Sequence, residues 1–349
     1  MHMRIAVLGG GLSPERDVSK KSASLIADAL LRKGHEVALA DLYDGIESDA
    51  PIDSFYRTGT DEMYSYDIPE EAPDLEEVIK SHGGRREWLG PRIIELCKSA
   101  DCTFLGLHGA HGENGKMQAV LEAFGIKYTG CGYTGCVIAM DKALSKALIS
   151  GVGFKTAKWF TTRDLGITFE ETVTKVGLPF VVKPIGCGSS CGVSIVKDKE
   201  EFENAISFAE KYEHHILIEE YIKGRELTVS ILDGKALPIT EIIPHEGFYD
   251  YKNKYQEGLT THVCPAKFTE EETAKAVAIA EEEFKILRMT AYGRIDMIYD
   301  GNDFWFIEAN NLPGMTNTSL VPEAAAAAGI EYDDLVEMIA LQAGRKHIG

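Results

Sequence analysis

Two short stretches near the C-terminus carry three oxygen-donating side chains and one permanent cation. The first contains Arg294 and Asp296, and the second contains Glu308 and Asn310. Carboxylate and amide oxygens are hard ligands, the type that Mg²⁺ prefers in proteins. The residue types therefore indicate a Mg²⁺ site, which Mn²⁺ could also fill.

These residues can meet only if the two stretches form an antiparallel hairpin. Side chains two residues apart in a strand point to the same face, so each strand presents its pair together. The turn-forming residues from Asp300 to Asp303 separate the two stretches. Asp296 lies opposite Glu308 only if the loop has an odd number of residues, because a shift of one residue reverses the faces. We therefore expect a three-residue loop, Gly301 to Asp303.

A second group of residues is suited to binding phosphate. Lys183 ends a predicted strand, and a loop of glycine, serine and cysteine, 186–192, follows it. Consecutive backbone N–H groups in such a loop form a nest for anionic oxygens, and the hydroxyls of Ser189 and Ser190 add donors. Lys142 begins a predicted helix, where the helix dipole also favours phosphate. A hairpin loop with a surface lysine is the alternative interpretation.

Two further segments place polar groups where ligands bind. His108 follows a predicted parallel strand, at the edge where open α/β sheets bind ligands, and Glu15 near the start of the first helix suits an ammonium group. Their alternative roles are structural: a hydrogen-bonding histidine, and a charge that matches a helix N-terminus. The long polar and aromatic loop 248–255 is typical of a lid. In that interpretation Lys254 reaches the γ-phosphate of a nucleotide.

Two glycine-containing motifs fail as nucleotide signatures. Gly115 and Lys116 resemble the end of a P-loop, but the residues on either side break the Walker pattern. The glycines after the first strand resemble a dinucleotide fingerprint, but Pro14 stands at its third glycine position. Asp41, at the end of the second strand, keeps a nicotinamide-dependent dehydrogenase open as an alternative.

The composition is that of an ordinary globular protein with an acidic surface. Lysine and arginine number 36 and aspartate and glutamate 55, a formal net charge of −19, which argues against nucleic-acid or anionic-membrane binding. No apolar run approaches the roughly 18 residues that span a bilayer, and we expect no signal peptide. The seven scattered cysteines indicate reduced thiols and a cytoplasmic protein.

The order of predicted elements indicates the class of the first domain. A strand, a helix and a second strand open the chain, so we expect residues 1–140 to form an α/β domain with a parallel, Rossmann-like sheet. The acidic residues 44–87 interrupt this domain as a long surface segment. A predicted helix near Asp141 opens a middle region, and mostly strands are predicted from Glu226 to Pro244.

The ordered motifs resemble the D-alanine–D-alanine ligase family, whose members are ATP-grasp enzymes. The resemblance runs from Gly9 to the end of the chain and rests on His108–Gly115, Met140–Lys142, Val182–Pro184, Gly188–Ser190, Gly224–Glu226, Phe248–Tyr255, Cys264–Ala266, Gly293–Asp296 and Glu308–Leu320. It implies a three-domain ATP-grasp architecture, in which the α/β domain 1–140 precedes an ATP-grasp part of α+β class. ATP would lie between the central domain 141–226 and the C-terminal domain 227–349.

The resemblance also implies roles for individual residues. Mg²⁺ would be held by Asp296, Glu308 and Asn310. ATP would be bound by Lys142, Lys183, Ser190, Glu219, Glu220, Tyr221, Ile222, Glu226, Lys254 and Ile307. The substrate amino acids would contact Glu15, His108, Arg294, Gly314, Ser319 and Leu320. The catalytic set would be Glu15, Ser189, Tyr255, Arg294 and Gly314.

The implied reaction joins two D-alanines for peptidoglycan synthesis and uses ATP as co-substrate. One carboxylate attacks the γ-phosphate to give an acyl phosphate, and the amine of the second D-alanine attacks the acyl carbon. Arg294 and the Gly314 amide would stabilise the oxyanion. Tyr255 favours an amine over a hydroxyl nucleophile, because relatives that make D-alanyl–D-lactate tend to have phenylalanine there. The resemblance also implies a homodimer as the assembly.

The chain departs from the family pattern at two cysteines, and other functions stay open. Cys187 replaces the usual glutamate of the phosphate loop, and Cys191 replaces the usual valine. One alternative is a ligase that takes D-serine or another amino acid as its second substrate. The other two are the dehydrogenase and a non-catalytic sugar or peptide binder, and the intact lysine and metal-ligand set argues against both.

Overall fold

The described residues form three sheets, of which the first is parallel. The computed structural model describes residues 2–69, 73–164, 166–188, 190–245 and 260–344. The strands of the first sheet are β1 (Arg4–Gly9), β2 (Glu36–Asp41) and β3 (Cys102–Leu105), in the order β2-β1-β3, and helix α1 (Arg16–Arg32) connects β1 to β2. Nearly all of β1 is buried, as expected of a parallel strand covered on both faces. The predicted parallel α/β opening is confirmed.

The acidic segment 44–87 covers the outer edge of the first sheet. It contains a short 3-10 helix (Ile52–Phe55) and helix α2 (Leu75–Ser81), and helix α3 (Ile93–Ser99) follows before β3. Arg57 forms an antiparallel bridge with Val37 of β2, and the Tyr64 hydroxyl donates to the Val37 carbonyl at 3.1 Å. Exposed edge strands invite pairing with other chains. The segment therefore protects β2, a role that its composition did not reveal.

The second sheet is antiparallel and packs against two helices. Helices α4 (Ala110–Glu113), α5 (Lys116–Ala123), α6 (Tyr133–Met140) and α7 (Lys142–Gly151) lead to it from the first sheet. Its own elements are β4 (Trp159–Thr162), α8 (Phe169–Val176), β5 (Phe180–Pro184), β6 (Ser194–Val196), α9 (Lys199–Glu210) and β7 (Ile216–Glu220). The strands are ordered β4-β7-β5-β6. Phe180 of β5 and Phe202 of α9 meet edge to face in the shared core.

The third sheet carries the acidic hairpin. Its elements are β8 (Arg225–Leu232), β9 (Lys235–Ala236), β10 (Thr240–Pro244), β11 (Thr260–Val263), α10 (Glu270–Ile286), β12 (Tyr292–Tyr299) and β13 (Phe304–Asn310). The strands are antiparallel in the order β11-β10-β8-β12-β13, and β9 pairs with β8. Helix α10 begins with a capping box, in which Thr269 and Glu272 bond each other's backbone N–H groups.

The last two described helices pack against the first sheet and helix α1. Helices α11 (Leu320–Ala327) and α12 (Tyr332–Leu341) share the hydrophobic core of the parallel sheet. Arg32 of α1 pairs with Asp333 at 2.7 Å, and Lys33 pairs with Asp334 at 2.7 Å. The expected boundary after residue 226 falls inside strand β8, and the three-domain division stays a prediction.

Two further expectations concern thiols and membranes. All seven cysteines are described, and each is a free thiol. Among the described helices, none has the length and apolar character that crossing a membrane requires.

Candidate active site

The two stretches form the antiparallel hairpin that the sequence predicts. Asp296 of β12 lies directly opposite Glu308 of β13, and Arg294 lies directly opposite Asn310. Side chains that oppose each other across a strand pair point to one face of the sheet. The three oxygen donors and the arginine therefore gather on one surface, and the expected juxtaposition of Asp296 and Glu308 is confirmed.

The loop of this hairpin differs from the expectation. It has four residues, because β12 ends at Tyr299 and β13 begins at Phe304, so the predicted three-residue loop was wrong. The Asp300 carboxylate accepts the backbone N–H groups of Asn302 and Asp303, each at 2.8 Å. An aspartate that bonds the backbone two residues on closes a turn locally, and this turn begins at Asp300 itself.

A β-bulge supplies the one-residue offset that the loop lacks. Met297 pairs with Phe306, whereas Asp296 pairs with Glu308, so Ile307 is an extra residue in β13. Ile307 and Glu308 consequently line the same cleft, although adjacent residues of a regular strand point to opposite faces. The bulge therefore sets an apolar side chain beside an acidic one.

Asp296 is held from two sides. Arg294 Nη2 donates to Oδ2 of Asp296 at 3.0 Å, and the hydroxyl of Thr228 on β8 donates to Oδ1 at 2.5 Å. The same hydroxyl accepts a hydrogen bond from Arg294 Nε at 3.1 Å. These side chains are largely buried, where charge-assisted hydrogen bonds are strong. The network orients the carboxylate toward the cleft.

The hairpin forms one wall of a cleft between the second and third sheets. The cleft encloses about 1030 Å³ of space, part of it open to solvent. The sequence-predicted residues on its walls are Lys142, Lys183, Ser190, Glu219, Glu220, Tyr221, Ile222, Glu226, Asp296, Ile307 and Glu308. Apolar side chains, among them Val181, Ile195 and Trp305, complete the lining. Apolar walls with a few convergent polar groups are typical of small-ligand sites.

Lys142 connects the phosphate loop to the acidic hairpin. Its Nζ donates to the Cys187 carbonyl at 2.7 Å and lies 3.5 Å from the Glu308 carboxylate. The loop turns sharply at Ser190, whose φ of 54° is left-handed. Cys187 therefore contacts Lys142 through its backbone, which any residue provides. The replacement of the family's glutamate leaves this contact in place.

Lys146 belongs to the site, although the sequence analysis did not identify it. Its Nζ lies 2.7 Å from Oε2 of Glu219, and Lys183 Nζ lies 2.5 Å from Oε1. Burial opposes ionisation of Glu219, but the two lysines outweigh it and hold the pKa of the carboxyl at about 2. The available signal was spacing, because Lys146 follows Lys142 by one helical turn.

A second group of predicted residues gathers where the first sheet meets the C-terminal segment. A Cβ atom added to Gly314 would lie 2.8 Å from Ser319 Oγ and 3.8 Å from His108 Cε1. A Cβ atom added to Gly109 would lie 2.9 Å from Glu15 Oε2, so Glu15 reaches the same region. The predicted substrate residues found here are Glu15, His108, Gly314, Ser319 and Leu320.

Glu113 is a partly buried acid of this region that the predicted set omits. Its Oε1 accepts the Gly109 N–H at 2.8 Å and lies 4.0 Å from His108 Nδ1. Burial, followed by the negative charge of Glu15, raises the pKa of Glu113 to about 8. Burial also lowers the pKa of His108. Burial therefore favours the neutral form of both side chains.

Asp41, the acidic residue on which the dehydrogenase alternative depends, is engaged in other contacts. Oδ1 of Asp41 accepts the backbone N–H groups of Tyr43 at 2.8 Å and Asp44 at 3.0 Å, and Oδ2 lies 3.0 Å from the Arg16 guanidinium. A dinucleotide site needs this carboxylate for a ribose hydroxyl. Here the carboxylate stabilises the loop after β2, which argues against that site.

The hairpin presents the donor set that a hard divalent cation needs. Asp296, Glu308 and Asn310 offer two carboxylates and one amide oxygen on one face, which fits Mg²⁺. Within the part of the chain that the structure describes, no group of three or more histidine, cysteine, aspartate or glutamate side chains is arranged to hold a metal. Within the same residues, no such cluster surrounds Cys187 and Cys191.

Three predicted site residues, Ser189, Lys254 and Tyr255, lie outside the described residues. The proposed lid, 248–255, lies outside them as well. Their expected roles stay predictions.

Comparison with known proteins identifies the family. The family models described as D-ala D-ala ligase N-terminus and C-terminus match residues 4–131 and 148–340. The D-alanine–D-alanine ligase of Pediococcus pentosaceus is 39% identical over 344 residues, 97% of each chain, and that of Lacticaseibacillus casei is 36% identical over 338 residues, 96% of this chain and 94% of the relative. The crystal structure of D-alanine–D-alanine ligase from Bacillus anthracis complexed with ATP matches with a TM-score of 0.74 and 30% identity, over 98% of this chain and 96% of that chain. With these matches across both halves, the chain belongs to the D-alanine–D-alanine ligase family.

Proposed function

We propose that this protein is an ATP-dependent ligase that joins two D-alanines into D-alanyl–D-alanine, a precursor of peptidoglycan. One observation carries the proposal: Asp296 and Glu308 face Lys142 and Lys183 across a single cleft. Hard oxygen donors and lysines at one site suit a nucleotide phosphate together with its divalent cation. The family relationship supports the same chemistry.

The cleft binds ATP. The adenine lies between the apolar walls near Ile307, beside the backbone of 219–222, and Glu226 holds the ribose. Lys142 and Lys183 bind the phosphates, with backbone N–H groups of the glycine-rich loop and the Ser190 hydroxyl around them. Asp296, Glu308 and Asn310 would hold Mg²⁺, which would neutralise charge on the phosphates.

The first chemical step forms a mixed anhydride. Glu15 holds the ammonium group of the first D-alanine, so that its carboxylate faces the γ-phosphate. A carboxylate oxygen attacks phosphorus, the bond from phosphorus to the ADP oxygen breaks, and an acyl phosphate results. Two anions must approach each other, so the lysines contribute by neutralising charge and fixing position.

The second step forms the peptide bond. The second D-alanine lies near His108, Ser319 and Leu320, and its deprotonated amine attacks the acyl carbon. Arg294 and the Gly314 amide stabilise the tetrahedral oxyanion, and phosphate leaves as the amide forms. Glu15, Ser189 and Tyr255 would form a hydrogen-bonded set that links the two flanking domains to the lid.

The test measures phosphate release and product identity with Mg-ATP and a panel of D-amino acids. We expect D-alanyl–D-alanine and one phosphate per dipeptide. Turnover with D-serine but not with D-alanine would favour a ligase of different second-substrate choice. No ATP consumption with any amino acid would contradict both versions. Glu308→Gln should lower turnover by about 10²-fold, whereas the control Glu282→Gln, on the exposed side of α10, should not.

Three related features stay predictions. They are the three-domain division of the chain, a homodimer as the assembly, and a cytoplasmic location. Size-exclusion chromatography with light scattering tests the dimer directly.

A further inference from the structure

Lys146 is the most deeply buried cation of the nucleotide cleft. Its side chain is 1% exposed, and its Nζ contacts Oε2 of Glu219 at 2.7 Å. The second contact of Nζ is the Thr156 hydroxyl, which in turn donates to the Phe306 carbonyl at 3.0 Å. Lys146 therefore joins helix α7 to strands of both sheets that form the cleft, from behind the nucleotide site.

Two lysines contact Glu219, and only one of them lines the cleft. Lys183 contacts its other oxygen, Oε1, at 2.5 Å and lines the cleft, whereas Lys146 does not line it. All three side chains are nearly inaccessible to solvent. Removing charge from water is costly unless an opposite charge is adjacent. Burial lowers the pKa of Lys146, and the Glu219 carboxylate opposes this shift. While both lysines are protonated, two cations on one buried carboxylate leave a positive charge in excess, which suits a polyanionic ligand.

The geometry points to Lys146 as a positioning residue for the nucleotide phosphates. We infer that it balances the charge of Glu219, so that Lys183 can turn from this carboxylate to a phosphate group. This inference rests on the proposed ATP-dependent function. Lys146 itself does not touch the nucleotide; it acts through Glu219 on Lys183.

The consequence of losing Lys146 follows from the same contacts. With methionine at position 146, Glu219 would have Lys183 as its only cation partner among the described residues. Lys183 could then reach a phosphate only by leaving a buried carboxylate unpaired, which is strongly unfavourable. Nucleotide binding should therefore weaken through the phosphates, and neutralising Glu219 should reverse the loss.

The experiment measures ADP affinity by calorimetry in four proteins: wild type, Lys146→Met, Glu219→Gln and the double variant. We expect Lys146→Met to bind ADP about tenfold more weakly or worse, a loss of about 1.4 kcal/mol or more. The double variant should bind within about threefold of Glu219→Gln, because Lys183 is then free of the carboxylate. Lys199→Met is the control, since Lys199 pairs with Glu170 on the exposed surface and neither residue lines the cleft.

Several outcomes would overturn the inference. The first is an ADP affinity of Lys146→Met that equals that of the wild type. The second is a tenfold weaker ADP affinity in the double variant than in Glu219→Gln, because that loss would show that Lys146 acts on ADP independently of Glu219. If the single variant does not fold, the double variant, which lacks the Glu219 carboxylate, decides by the same comparison. Failure of the wild-type protein to bind ADP would instead contradict the proposed function.

Discussion

Replacing Glu283 with glutamine should remove an unfavourable contribution to folding stability that grows as pH rises. Glu283 lies on the inner face of α10, with Ala276, Ala280 and Phe284, and is fully buried. Among the described residues, neither of its carboxylate oxygens has a hydrogen-bond partner. Burial alone raises the pKa of this carboxyl to about 8. A glutamic acid in such surroundings is tolerated only while it is protonated.

The size of the effect follows from the two pKa values. A rise from the ordinary 4.5 to about 8 corresponds to roughly 5 kcal/mol between the protonated and ionised folded forms. The unfolded chain loses its proton first, so the folded state holds more protons between these two values. Stability therefore falls as pH rises through this window and is lowest above pH 8. Between pH 5 and pH 8 the expected fall is about 3 kcal/mol.

The assay compares urea unfolding of wild type and Glu283→Gln at pH 5 and pH 8. The difference in unfolding free energy, variant minus wild type, should increase by about 3 kcal/mol between the two pH values. Because other groups titrate equally in both proteins, this difference isolates Glu283. Glu282→Gln, half-exposed on the same helix, is the matched control and should change by less than about 0.5 kcal/mol. A difference that is equal at both pH values would refute the reasoning.

Three further changes test the hairpin and its supports. Arg294→Ala should reduce ligation by about 10²-fold or more while the far-ultraviolet dichroism stays native, because the oxyanion loses a donor; near-normal turnover would contradict the assignment. Deletion of Ile307 should remove the bulge but leave Glu308 opposite Asp296, because Met297 already pairs with Phe306. The folded variant should therefore still bind nucleotide in a Mg²⁺-dependent way, more weakly because the cleft loses an apolar side chain, and loss of the Mg²⁺ dependence would argue against the register. Thr228→Val leaves Asp296 with one hydrogen-bond partner fewer in a buried place and should cost about 1–3 kcal/mol of unfolding free energy. A loss below about 0.5 kcal/mol would show that water replaces the hydroxyl.

The pairing of the hairpin could be predicted from the sequence, but its loop length could not. The alternation of strand residues and the turn signal at Asp300 were enough to pair Asp296 with Glu308. The same reasoning assumed regular strands, so it assigned the odd offset to the loop. A bulge has no clear signature in residue types, because the extra residue is chosen by packing against the neighbouring chain. Here Phe306 bonds the Lys155 carbonyl through its N–H at 2.8 Å, a contact made outside the hairpin.

Lys146, beside the nucleotide cleft, shows a second limit of prediction from the sequence. Lys142 and Lys183 were identified because each stands at the end of a predicted element beside glycine or a helix start. Lys146 has no such local mark, and a lysine within a helix is ordinarily a solvated side chain. Its role became visible only when β7 brought Glu219 within 2.7 Å. The sequence likewise does not indicate that Glu283, one of several glutamates in helix α10, faces the core.

The sequence by itself determined the features that depend on neighbours along the chain. These are the parallel opening of the first sheet, the glycine-rich loop after Lys183, the antiparallel hairpin, and the family to which the ordered motifs belong. The tertiary structure alone decided which of the chemically suitable residues meet: the bulge at Ile307, the sharing of Glu219 by two lysines, and the return of α12 to α1. The physical reason is that periodicity and turn chemistry act over a few residues. Ion pairs and burial depend on segments brought together only when the core closes.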